Sequence, residues 1–131
     1  MSKKNNKYKN KKITVNGVTY DSLREYRRHR ELLILERAGL ISELRTQVTY
    51  ELIPSAFEEV PTGERYRRGA RKGELKTKRV CVERSVDYIA DFVYTENGNT
   101  VVEDAKGKRT KEYIIKKKLM LWVHGIKIQE V

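Results

Sequence analysis

The stretch from Val86 to Lys106 restricts the fold more than any other part of the chain. It holds a run of β-branched and aromatic residues ending Tyr88-Ile89-Ala90-Asp91-Phe92-Val93-Tyr94, a turn at Glu96-Asn97-Gly98-Asn99, and a second run, Thr100-Val101-Val102-Glu103-Asp104-Ala105-Lys106. Asn-Gly suits the two positive-φ positions of a type I′ turn, so the runs are predicted to pair as an antiparallel hairpin. Side chains alternate along a strand, which puts Val102, Asp104 and Lys106 on one face and Val101, Glu103 and Ala105 on the other. Asp91 then lies on the strand beside Asp104. Two carboxylates and an ammonium at one place on a sheet suit a hard divalent cation, Mg2+ with Mn2+ as substitute. The lysine can orient or deprotonate a water, or stabilise charge on a phosphate under attack. The plainer alternative is that the two aspartates simply form salt bridges with Lys106.

Charge decides the class of partner. The 131 residues carry 29 Lys and Arg against 18 Asp and Glu, a net charge of +11. A chain of this length is expected to form one domain with its own core, and a surface so basic points to nucleic acid. Cys81 is alone, so no internal disulfide is available, and it is expected to be buried and inert. With only His29 and His124 beside it there is no zinc pattern. A reducing cytosol is the expected compartment. No apolar run reaches the ~20 residues that cross a bilayer, so no membrane partner is expected.

The rest of the chain reads as alternating elements. Residues 1–12 carry six lysines and three asparagines, and are expected to be disordered alone, either as an arm on phosphates or as a solubilising tail. Lys12 to Tyr20 reads as a hairpin around Asn16-Gly17. Ser22-x-x-Glu25 is a capping box opening a helix to about Ala38, with Gly39 as its stop. Leu23, Tyr26, Leu33 and Ile34 make one apolar face of that helix; Glu25, His29, Leu32 and Glu36 lie on a second. His29 is read as a packing or surface histidine. Leu40 to Ile53 reads as the first strand of the main sheet, with Gln47 able to reach the acidic centre. Pro54 to Thr62 is expected to be a loop.

Gly63 to Arg79 holds eight basic residues and three glycines. It is predicted to be an extended loop or hairpin arm, within an insertion at about 61–79. Arg65, Arg67, Arg68, Arg71 and Lys72, with Tyr66 interleaved, are its expected DNA contacts. Lys108 and Arg109 after the hairpin, and Lys117 on a second helix from about Lys111 to His124, complete the expected nucleic-acid-binding set. On that helix Ile115, Leu119 and Trp122 read as the packed stripe, with Trp122 in the core. Gly125 ends it, and Ile126 to Val131 reads as a last strand. Asp87 would share the Asp91 face on a regular strand. A pure DNA binder would use the basic features equally well, and a non-catalytic module acting as clamp or regulator is the alternative function.

Lys7-Tyr8-x-Asn10-Lys11-Lys12, Asp21-Ser22-x-x-Glu25, Tyr88 to Tyr94, Val101 to Gly107, and Thr110-Lys111-Glu112-Tyr113 stand out as motifs. Together they resemble those of a family of small phage and prophage proteins within the PD-(D/E)XK nuclease superfamily. Ala90 stands where the signature often has proline. The resemblance implies an α/β fold with a restriction-endonuclease-like helix-strand-strand-strand-helix-strand core, the mixed sheet flanked by helices on both sides. The N-terminal hairpin and the basic arm are additions, so that residues 13–131 make the single domain. It implies a metal-dependent endodeoxyribonuclease, similar to Holliday-junction resolvases, in the host cell cytoplasm. The chain has no evident base-reading helix, so branched or junction DNA is the expected substrate over a fixed recognition sequence. Asp91, Asp104 and Glu25 would be metal ligands, with the Ala105 carbonyl, and Lys106 would assist the nucleophile. Junction cutting calls for two active sites, so a homodimer is expected.

Overall fold

A computed structural model describes residues 11–131. Residues 1–10 of the expected arm, including Lys7, Tyr8 and Asn10 of the first motif, lie outside the described residues. The elements run β1 (Ile13–Val15), β2 (Val18–Tyr20), α1 (Leu23–Arg37), β3 (Ser42–Ile53), β4 (Ala56–Arg65), β5 (Leu75–Glu83), β6 (Val86–Glu96), β7 (Asn99–Asp104), α2 (Lys111–His124) and β8 (Gln129–Glu130). They fall into two compact units, one formed by the chain up to Tyr50 with Tyr88–Val131, the other by Glu51–Asp87.

The first unit is α/β. A four-stranded sheet has the order β3-β6-β7-β8. It is mixed: β6 and β7 are antiparallel, with Phe92 opposite Glu103, and β7 and β8 are parallel. The expected turn is present, with Asn97 and Gly98 at φ 51° and 78°, and the same chemistry closes β1 on β2 at Asn16-Gly17. Ser22 caps α1 by accepting from the Glu25 amide at 3.1 Å. The reciprocal carboxylate bond goes to the Asp21 amide, one residue earlier than a capping box places it. Gly125, at φ 67°, ends α2.

The two helices attach to opposite faces of the hairpin. Arg28 of α1 forks onto Glu103 at 2.6 and 2.9 Å, and Leu32, Ile41, Phe92 and Tyr94 form a core cluster on that side. Tyr113 of α2 lies near Tyr88 and Lys106, on the side of Asp104. Adjacent residues on one strand therefore anchor different helices, as alternation requires.

Both helices turn a different face inward from the one that apolar counting suggests. On α1 the buried residues are Glu25 and Leu32, while Leu23, Leu33 and Ile34 are exposed. Arg28 bonding Glu103, and His29 stacking on Phe92 with its Nδ1 at 2.7 Å from the Tyr20 hydroxyl, fix that orientation. On α2 Tyr113 and Met120 are buried; Ile115 is 58% and Trp122 86% exposed. Two residues along a helix rotate roughly 200°, so Ile115 and Trp122 point away from the packed Tyr113 and Met120. The expectation that Trp122 is core is overturned. The last strand is also shorter than expected, although Ile128 is buried ahead of it.

The second unit is a two-stranded hairpin. Pro54 to Thr62 is mostly strand rather than loop, because Ala56–Arg65 pairs with Leu75–Glu83. Pro61 sits where the ladder shifts register, a place that tolerates a missing donor. Tyr66 and Gly73 close the tip through their backbones at 2.9 Å. Arg71 and Lys76 lie over the Tyr66 ring, and Arg79 over Phe57 at 3.8 Å. Cys81 is exposed, not buried, because a lone pair of strands leaves it no second layer. No helix among the described residues is long and apolar enough to cross a membrane.

Candidate active site

The end of the β6-β7 hairpin gathers Asp91, Asp104, Ala105 and Lys106, and α1 and β3 add Glu25 and Gln47. Asp91 Oδ2 accepts the backbone amide of Ala105 at 2.9 Å. Gln47 donates to Glu25 Oε1 at 3.0 Å and approaches Asp91 Oδ1 at 3.5 Å. One amide thus bridges two carboxylates from different elements. Gln47 has φ 52°, a left-handed conformation inside a strand. Such an irregularity re-aims a side chain and interrupts alternation, which resumes only at Val48, Tyr50 and Leu52.

Asp104 is 2% exposed. Its Oδ2 accepts from the Tyr88 hydroxyl at 2.5 Å. Its Oδ1 lies 3.1 Å from Lys106 Nζ but receives no well-directed hydrogen bond. The ammonium also sits 4.4 Å from the centre of the Tyr113 ring, whose own buried hydroxyl lacks a partner. Tyr88 and Tyr113 are both held above the ordinary phenol range, by burial first and then by their neighbours, Asp104 among them.

The carboxylates feel one another. Burial, then the charge of Asp104, pushes Asp91 up to about 7; Glu25 adds to this, and the Ala105 amide and Lys106 oppose it. Burial also raises Glu25, with Asp21 and Asp104 contributing. Glu25, Asp91, Ala105 and Lys106 line a cleft of about 840 Å³ together with Lys11, Lys12, Arg24 and Lys108. Asp104 does not line it, but its Oδ1 lies 3.1 Å from Lys106 Nζ, which does. Acidic groups therefore sit in the wall and cations around them. The described residues hold no group of three or more side chains already arranged to grip a metal ion. The donor set is nonetheless all oxygen, crowded with negative charge and short of one hydrogen bond at Asp104, which is the chemistry a hard divalent cation takes.

The sequence-expected residues divide. Asp91, Asp104, Ala105, Lys106 and Glu25 converge, and Gln47 joins them. Asp87 belongs to the second unit, where its carboxylate accepts from the Ser85 hydroxyl. Among the expected DNA contacts, Arg67, Arg68 and Lys72 are exposed on the hairpin tip. Arg65 donates to the Gly73 carbonyl and Arg71 pairs with Glu74, so both also hold the tip together. Lys108 is exposed and lines the cleft. Arg109 and Lys117 both pair with Glu130, at 2.7 and 2.5 Å. Sequence reasoning gave no role to Tyr88, Tyr113 or Arg24. Tyr88 and Tyr113 stand inside recognisable motifs, but no spacing rule distinguishes a tyrosine that orients a carboxylate from one that fills a core.

No curated protein and no solved structure matches the chain. A family model described as Protein of unknown function (DUF1064) matches residues 5–126. That span takes in both helices, the whole β6-β7 hairpin and every residue of the acidic cleft, and the chain belongs to this family.

Proposed function

We propose that the chain is a metal-dependent endodeoxyribonuclease of the PD-(D/E)XK type, built on a restriction-endonuclease-like core. The observation that carries this reading is the meeting of Asp91, Asp104 and Lys106 with Glu25 at one end of a hairpin. Those residues come from separate elements, and nothing in folding requires charges to gather there. Asp91 and Glu25 in the cleft wall, the Ala105 carbonyl and the Oδ1 of Asp104 would hold Mg2+, or Mn2+ in its place. Such an ion, when bound, lowers the pKa of a coordinated water and polarises a phosphodiester.

The chain's own groups supply the rest. The Ala105 amide and Gln47 orient Asp91, Tyr88 orients Asp104, and Lys106 offers an ammonium to the attacking water or to the phosphate. Phosphate contacts from the basic regions give affinity with little sequence reading. The chain has no evident base-reading helix, which favours branched or junction DNA as substrate. Two cuts across a junction need two centres, so a homodimer in the host cytoplasm, serving phage recombination, replication or packaging, goes with this reading.

One observation favours the alternative, a non-catalytic DNA-binding module of the same fold. Lys106 is engaged by Asp104, as a purely structural pair would be. Incubating the protein with linear and four-way-junction DNA, in Mg2+ or in EDTA, separates the two. Mg2+-dependent cutting supports the nuclease, and binding with no cutting in Mg2+ or Mn2+ supports the module.

A further inference from the structure

We propose that Arg24 and Arg27 on α1 form a phosphate-binding track that extends the acidic cleft and receives the backbone of duplex DNA. The partner rests on the nucleic-acid reading above; the surface rests on its own observations. The cleft is not isolated. A second hollow, of about 400 Å³ and lined by Leu23, Arg24, Arg27, Arg28, Glu31 and Val131, shares Leu23 and Arg24 with it. The two hollows therefore adjoin, and Arg24 belongs to both.

The charges along this path are unevenly committed. Arg28 is already engaged, by the buried Glu103 and by Glu31 at the rim of the second hollow, and is not available to a ligand. Arg27 is exposed and has no ion pair or hydrogen bond among the described residues. Arg24 makes one weak contact, Nη1 to the Val131 carbonyl at 3.4 Å. Neither guanidinium pairs with Glu25, although that carboxylate follows Arg24 directly in sequence and lines the same cleft. Glu25 is turned inward to Gln47 and the Asp21 amide.

Residues three apart on a helix are neighbours, and like charges there disfavour the helix. Two arginines at this spacing, neither paired with a side-chain carboxylate among the described residues and both opening onto adjoining hollows, suit a ligand with repeated negative charge. A single anion would engage one of them. A nucleic-acid backbone engages both and leads along the path to the carboxylates. By contrast Arg109 and Lys117 already face Glu130, whereas Arg24 stands with Lys11, Lys12 and Lys108 in the lining of the cleft and leads from it to Arg27.

The test measures binding of a short DNA duplex in EDTA, over a range of salt, for the full chain. Removing one cation that neutralises a phosphate lowers the slope of log affinity against log salt by about one. Arg24→Gln/Arg27→Gln is expected to lower it by about two, and Arg27→Gln alone by about one, with melting curves confirming folded protein. Arg37→Gln/Arg45→Gln removes the same charge from exposed positions off the track and is expected to change the slope by much less. An unchanged slope in the track variants, or an equal fall in both pairs, overturns the proposal. Because no cleavage enters this readout, a failed nuclease reading leaves the result interpretable. Conversely, Mg2+-dependent cutting with an unchanged slope rejects only the track.

Discussion

Tyr88 donates its hydroxyl to Asp104 Oδ2 over 2.5 Å, from one strand of the central hairpin to the other. The bond leaves Oδ1 as the oxygen that meets Lys106. Tyr88→Phe removes the donor and leaves a buried carboxylate oxygen without its partner. A loss of about 1–3 kcal/mol is expected from urea unfolding of the metal-free chain. Unchanged stability would mean that the bond does not hold Asp104.

The catalytic reading makes a sharper demand. Asp104→Asn or Lys106→Ala should reduce Mg2+-dependent cleavage by roughly 10²–10⁴-fold, while gel-shift binding of the same DNA in EDTA stays within a few-fold of wild type. Wild-type cutting by both variants would remove these residues from the mechanism.

Burial and neighbouring carboxylates raise Asp91 to about 7 in the folded chain, against roughly 3.9 when unfolded. The folded state therefore binds the extra proton between those values. Stability should be fully present below about 4 and decline as pH rises towards 7. In EDTA the melting temperature of wild type should fall over that window relative to Asp91→Asn, which has no proton to lose. Mg2+ should narrow the gap if the cleft takes the ion. Parallel pH curves for the two proteins would contradict the crowding of charge described for this cleft.

Arg28 and Glu103 form a nearly buried pair, and Tyr94 donates to the same carboxylate at 2.6 Å. Arg28→Met strands that charge next to the core cluster and should cost about 3–5 kcal/mol by chemical denaturation. Adding Glu103→Gln should recover a large part of the loss. An additive or greater loss in the double variant would show that the arginine matters for packing alone.

Trp122 is the one tryptophan and is 86% exposed. Its fluorescence should be water-like and readily quenched by acrylamide at low protein concentration. Trp122→Gln should change stability by less than about 0.5 kcal/mol. A blue-shifted, protected signal in dilute monomer would contradict the orientation of α2.

Local chemistry alone determined much of this protein. Asn16-Gly17 and Asn97-Gly98 dictate two hairpins because few residues tolerate consecutive positive φ, and period-two alternation from there puts Asp104 beside Asp91; Lys106 lies past the end of β7 and is held at Asp104 by their ion pair. Ser22, Gly39, Thr110 and Gly125 bound the helices through caps that depend only on neighbouring backbone. What alternation could not give is the face each helix turns inward, because α1 and α2 carry apolar residues on more than one side. Tertiary partners decided it: Glu103 drew Arg28, the Asp104 side took Tyr113, and Trp122 was left in water. Gln47 reaches Glu25 and Asp91 through a left-handed residue that no strand pattern announces. Turns and caps are energies of a few adjacent residues and so can be read in order along the chain. Facing, burial and the company a charge keeps are energies of residues far apart in sequence, and exist only once the sheet and helices have met.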